Sequence, residues 1–286
     1  MVYKLIEEVG LDNPPNHKFI TPNDVFYDKK NDLLLVTNSS NDSVNMYTIH
    51  ITEKSPNKAF TTKFIKSFGT PGDKPGEFTY PSNVIVHDDI IYVTDTYNGR
   101  IQKFDLNGEF IKGIGRNGDG LFTQPHGICI YENTIYVVDT INKRVLMLDL
   151  SGNCIGSFGS GGISLEQFSR PHSISAYYGI IYVTDSDNHK IAQFKPDGTF
   201  IGVDAVSVRH PRGIDVCEYG KVISQHNAHS VIVYTHNQVH PIRKYLNSSG
   251  EEIGFIYPRG VKFLDENHII VCDVYGNKVL IIEIVK

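Results

Sequence analysis

The chain has 286 residues, 40% of them hydrophobic and 21% charged, a balance that suits a soluble globular protein with a large core and excludes a disordered one. No apolar run approaches the roughly 20 residues of a membrane helix, and Met1-Val2-Tyr3-Lys4-Leu5-Ile6-Glu7-Glu8 carries charge where a signal peptide carries its apolar stretch, so a cytoplasmic protein without membrane contact is expected. The formal net charge of −5 argues against wholesale nucleic-acid binding, which rests on a basic surface.

In chain order, the first segment with the apolar spacing of a strand is Tyr3-Lys4-Leu5-Ile6-Glu7-Glu8-Val9-Gly10. Pro22 then opens a unit that occurs six times. Each unit has a Pro, any residue, a small or polar residue and an apolar strand, then a second strand ending in Val-Thr-Asp or a near match, then a third after Asn and a basic residue. The opening residues are Pro22, Pro81, Pro125, Pro171, Pro211 and Pro258, which subtraction places 59, 44, 46, 40 and 47 apart. Second strands are predicted to end at Asn38, Asp95, Asp139, Asp185, Gln225 and Asp273, with third strands from Val44, Ile101, Val145, Ile191, Val231 and Val279. Asn107-Gly108, Ser151-Gly152 and Asp197-Gly198 supply hairpin turns that need positive φ. Fourth strands follow at 64–69, 110–115 and 154–159. The long first step is assigned to an outer hairpin inserted around Ile49 to Thr61.

Several short strands at a period of about 40 to 50 residues are the signature of β-propeller blades. The sixth unit ends with its third strand, and Tyr3 to Gly10 is predicted to complete it, removing open strand edges. The expected fold is all-β: a six-bladed β-propeller of four-stranded antiparallel blades. It forms one domain, 1–286, closed by the N-terminal strand, 3–10, completing blade six. The separated cysteines Cys129, Cys154, Cys217 and Cys272 form no C-x-x-C pair and are expected as buried free thiols.

Pro125-His126-Gly127-Ile128, Tyr136-Val137-Val138-Asp139-Thr140, Asn142-Lys143-Arg144-Val145 and the Gly-rich connector Gly69 to Phe78 resemble NHL repeats. The likeness runs through essentially the whole chain and is strongest in blades two to four. Asn38 and Gln225 depart from the usual Asp. The resemblance implies the propeller fold and leaves activity open, because similar families include RNA-binding domains of ubiquitin ligases, sensor domains and a zinc-dependent lyase acting on peptidyl-hydroxyglycine.

Asp95, Asp139, Asp185 and Asp273 recur at equivalent sites, and a carboxylate at a strand end accepts backbone N–H groups. They are therefore expected to be structural, paired with Arg100, Arg144, Lys190 and Lys278 five positions on. The residue after each opening proline varies instead: Asn23, Ser82, His126, His172, Arg212 and Arg259. These six are expected around one mouth of the central channel. His126 and His172 resemble the Pro-His pairs of the amidating lyase, but a catalytic zinc needs about three protein ligands, and adjacent arginines repel a metal. No cofactor is expected, with zinc at His126 and His172 as the alternative. Gly113-Ile114-Gly115-Arg116-Asn117-Gly118 imitates a nucleotide motif, yet it falls in a connector and precedes no helix.

The register places Arg100, Arg144, Arg170, Lys190, Arg209, Arg212, Arg259 and Lys278 on the proline-bearing face, and Asp28, Asp32, Asp88, Asp89, Glu132, Glu218, Asp265 and Glu266 on the opposite one. A basic channel face suits an acidic protein or peptide, and single-stranded RNA is an alternative for which Tyr97 and Tyr275 are the stacking candidates. The expectation is a monomeric, non-enzymatic binding scaffold with no catalytic residue. The alternative is a metal-dependent lyase or hydrolase at the channel mouth.

Overall fold

The computed structural model describes residues 3–54, 57–115, 120–235 and 238–284. Apolar alternation and the turn residues build six sheets. Blade one contains Pro22–Asp28, Leu33–Asn38, Ser43–Lys54 and Asn57–Phe68. Blade two contains Pro81–His87, Ile90–Asp95, Arg100–Phe104 and Phe110–Ile114. Blade three contains Pro125–Tyr131, Thr134–Asp139, Arg144–Asp149 and Cys154–Phe158. Blade four contains Pro171–Tyr177, Ile180–Asp185, Lys190–Phe194 and Phe200–Val203. Blade five contains Pro211–Cys217, Gly220–Gln225, Ser230–Tyr234 and Val239–Ile242. Blade six contains Pro258–Asp265, His268–Asp273 and Lys278–Ile284.

Strand Tyr3–Val9 completes blade six, pairing antiparallel with Lys278–Ile284 from Tyr3↔Ile284 to Val9↔Val279. A short hairpin that the repeat did not announce extends this sheet. Its strand Lys244–Leu246 runs parallel to the N-terminal strand at Lys4↔Leu246, and Glu252–Gly254 pairs with it in turn. The N-terminal strand thus has partners on both sides, and its edge is covered. The predicted insertion in blade one is a hairpin paired from Val44↔Phe68 to Lys54↔Asn57, with Ser55 and Pro56 outside the described residues.

Each first strand contacts the first strands of both neighbouring blades, so six of them close a ring around the axis. The apolar core lies between blades. At the seam between first and last, Val25, Leu34 and Val36 pack with Ile270, Cys272, Val279 and Ile281. All four thiols are free, but of the four expected to be buried only Cys272 is; Cys129 and Cys217 are half-buried, and Cys154 is exposed because it begins an outermost strand. Among the described residues no helix is long and apolar enough to cross a membrane.

The register of every first strand shifts between the proline and the third residue after it, as in Pro22/Val25 and Pro211/Ile214. Such a bulge inserts one extra residue and re-aims side chains. Hydroxyls on the second strand take up the displaced N–H: Thr37, Thr94 and Thr184 accept from Asp24, Asn83 and Ser173 at 2.9 Å, and Ser224 accepts from Gly213 at 2.7 Å. The same hydroxyls donate to the carbonyls of Ser82, His126, Arg212 and Arg259 in the next blade. A second set, Ser39, Thr96, Thr140 and Ser186, donates to the next opening proline. The Thr-Asp-Thr of the repeat is therefore a seam between blades.

The repeated acids take the structural role. Asp95 accepts the Thr79 N–H, Asp139 those of Thr123 and Gln124, Asp185 those of Ser169 and Arg170, and Asp273 those of Ile256 and Tyr257. Asn38 and Gln225 keep that role with amide oxygens, accepting from Ile20 and Arg209 at 2.6 Å.

Candidate functional site

The first strands converge on a pocket of about 30 Å³ at one mouth of the channel, lined by Asn23, Ser82, His126, His172, Arg212 and Arg259 and by the residue following each. The bulge explains why two consecutive positions face the axis. Three of the following residues are Gly127, Gly213 and Gly260. A Cβ at Gly213 would stand 2.0 Å from the Arg259 carbonyl oxygen, and one at Gly127 2.7 Å from that of His172. Neighbouring blades come too close there for a side chain.

The His126 and His172 rings lie 4.6 Å apart. Burial, then the guanidinium groups of Arg259 and Arg212, pushes the His126 imidazole down to about 3. His172 is held well below its ordinary value by burial and then by Arg212. Both imidazoles are therefore neutral near pH 7. Nη1 of Arg212 contacts Nε2 of His172. Burial, with repulsion from Arg259 and Arg170, pulls Arg212 down to about 9. Arg259 reaches across the mouth, and its Nη1 donates to the Tyr80 hydroxyl at 3.0 Å. Arg259 Nε and Asn23 Nδ2 are buried and have no hydrogen-bond partner among the described residues.

One layer deeper, the Asp24 carboxylate accepts from Asn83 Nδ2 at 2.5 Å, and burial raises its pKa to about 6 against the pull of Lys262. Lys262 Nζ donates to Asp215 at 3.2 Å. Asp215 and Lys262 each stand four residues after their opening prolines and form an ion pair.

The other predicted residues divide into two groups. Arg100, 8% exposed, bonds Asp95 at 2.7 Å through Nε and donates through its other nitrogens to the carbonyls of Asp73, Lys74 and Glu77. Lys190 donates to the carbonyls of Ser164, Leu165 and Gln167. Both cations clamp Gly-rich connectors, and the docking role expected of them gives way because their polar atoms are already bonded and buried. Arg144 bonds Asp139 at 3.3 Å and stays partly exposed. Lys278 bonds Glu8 at 2.9 Å in place of the expected Asp273, since the N-terminal strand pairs beside it. Tyr97 stacks on Tyr80 at 5.0 Å, and Tyr275 meets Tyr257 edge-on at 4.9 Å.

Tyr80, Tyr257 and Asp24 were not singled out from the sequence. The two tyrosines immediately precede opening prolines, a position that varies between blades as strongly as the one following. Tyr80 has a φ of 60°, uncommon for a residue with a side chain. Among the described residues no three His, Cys, Asp or Glu side chains are placed to hold a metal ion. His126 and His172 alone fall short of the about three protein ligands that a catalytic zinc needs. Of the glycine stretch resembling a nucleotide motif, Gly113 and Ile114 end a strand, and Arg116, Asn117 and Gly118 lie outside the described residues. A wider groove of about 640 Å³ on the opposite face has mixed charge from Lys29, Asp32 and Asp265.

A family model described as a 6-bladed beta-propeller matches residues 38–158. No curated protein matches the chain. Among solved structures, virginiamycin B lyase from Staphylococcus aureus is 15% identical with a TM-score of 0.61, over 99% of this chain and 100% of that one. The WD40 propeller domain of Doa1 is 12% identical with a TM-score of 0.63, over 99% and 98%. A protein of unknown function from Bacteroides thetaiotaomicron is 15% identical with a TM-score of 0.68, over 98% of this chain and 72% of that one. These likenesses are of the fold alone: the chain is a six-bladed β-propeller, closed by its N-terminal strand.

Proposed function

We propose that this propeller, of the NHL-repeat type, is a non-enzymatic scaffold that docks an acidic protein or peptide on its channel face. The observation carrying this reading is that Arg212 and Arg259 share one mouth while neither bonds a carboxylate among the described residues. Two cations held together repel, and an acidic partner relieves that repulsion. Arg170, Arg209 and Lys143, all exposed on the same face, extend the positive field. A fluorescent oligoglutamate peptide tests the reading. Binding should weaken as salt rises, and Arg212→Glu with Arg259→Glu should weaken it at least tenfold at unchanged melting temperature; equal binding by the double variant refutes it.

The tyrosine pairs 80/97 and 257/275 favour a second reading, single-stranded RNA, for which they would be stacking platforms. Filter binding of an unstructured RNA across salt concentrations separates the two, since an affinity without salt dependence counts against RNA. A metal-dependent lyase is the weaker alternative. Its support is a lyase among the similar folds, at an identity that carries no chemistry.

A further inference from the structure

Donors without acceptors converge on the pocket at the channel mouth. Asn23 is 8% exposed, and among the described residues neither its Nδ2 nor Nε of Arg259 has a hydrogen-bond partner. Buried donors are rarely left unpaired, because each then bears its full desolvation cost. Arg212 adds a guanidinium whose side-chain partner among the described residues is a neutral imidazole. All three residues line the same space. Among the described residues no carboxylate bonds any of the three.

The size of the space narrows the ligand. A pocket of about 30 Å³ holds one or two water-sized groups at its base, which suits a carboxylate. The charge beneath narrows it further. Asp24 lines the pocket floor, so two guanidinium groups and one carboxylate leave the site a single net positive charge, which a monoanion neutralises and a dianion exceeds. We infer that the channel mouth seats a single carboxylate, an acidic side chain or chain terminus of the docked partner, between Arg212, Arg259 and Asn23. The inference rests on the docking reading above and names the group that enters the channel.

A chemical-shift titration of the full chain tests it with four probes: N-acetylglutamate α-amide, N-acetylglutamine, the neutral N-acetylglutamine amide and inorganic phosphate. The two monocarboxylates should bind saturably and shift the Asn23 side-chain amide, while the neutral amide should leave it unmoved. Arg259→Met should weaken carboxylate binding at least tenfold, and Arg144→Met, at the rim, less than twofold. Arg259→Lys, which retains charge and loses the fork, should fall between them and serves if the Met variant does not fold. Equal binding of the neutral amide, phosphate binding tighter than either carboxylate, or indifference to Arg259→Met would overturn the seat. Oligoglutamate that binds and responds to the double Glu variant while no monocarboxylate binds would overturn the seat alone. If oligoglutamate also fails to bind, the docking reading fails with it.

Discussion

Arg100 and Arg259 lie on the same face of the propeller in two regions with opposite electrostatics. At the connector clamp, Arg100 meets the Asp95 carboxylate at 2.7 Å and three carbonyl groups. At the channel mouth, Arg259 meets one tyrosine hydroxyl, has an unpartnered Nε and faces Arg212. A polar group that folding uses is saturated from within the chain, as at the clamp. One whose capacity is left open is stabilised by something else, or costs stability for the sake of a ligand. The clamp thus belongs to the fold, and on the docking proposal the mouth is the part kept open for a ligand.

Removing residues 1–10 should have the largest effect, because blade six then lacks the strand that pairs from Tyr3 to Val9 and both the ring and its core open. Loss of cooperative unfolding by circular dichroism, with aggregation on gel filtration, is the expected result. Asp95→Ala should follow, leaving the Arg100 guanidinium buried without its carboxylate, at a cost of about 3 to 5 kcal/mol in urea denaturation.

Acid should act through the mouth. Unfolding returns His126 and His172 towards 6.5 from depressed folded values, about 3 for His126. The unfolded chain then binds more protons than the folded one across that window. Their contribution is intact above pH 6.5 and is lost as pH falls through it, with a slope of up to about 1.4 kcal/mol per pH unit per histidine. Asp24, raised to about 6, opposes this below pH 6, and burial raises the carboxyls of Glu7, Asp95 and Asp273 in the same sense. Melting temperatures between pH 7.5 and 4 should show the loss, and His126→Gln should flatten it. Gly213→Ala should cost about 1 to 3 kcal/mol by overpacking, because its Cβ would meet the Arg259 carbonyl oxygen at 2.0 Å.

The smallest effect sharpens the contrast most. Arg259→Met should change stability by less than about 1 kcal/mol, or raise it, since it removes a buried cation that bonds no carboxylate. If it destabilises as much as Asp95→Ala does, the mouth is structural and the distinction between the two regions fails.

Much of the fold was legible because its signals are local. The six prolines, the strand endings at Asp95, Asp139 and Asp185, and the Gly turns at Gly108, Gly152 and Gly198 each report on a few neighbouring residues. The hairpin Lys244–Leu246 with Glu252–Gly254 was not legible, because it departs from the repeat and its place is set by the N-terminal strand some 240 residues away. At the site, the ring position after each proline could be read from variation between blades. The fates of Arg100 and Lys190 could not, because their acceptors are connector carbonyls 23 to 27 residues earlier in the chain. A carbonyl leaves no mark on residue type.

Sequence alone therefore determined the number of blades, the closing strand and the six side chains turned towards one mouth, since period and alternation are properties of the chain taken a few residues at a time. Tertiary structure decided which cations are committed and which are open. Hydrogen bonding depends on which backbones come together, and Arg259 finds Tyr80 across 179 residues of sequence. It also decided the depth of the pocket. The bulge turns two consecutive residues inwards, and the close approach of neighbouring blades at Gly213 and Gly127 leaves room there for one small group.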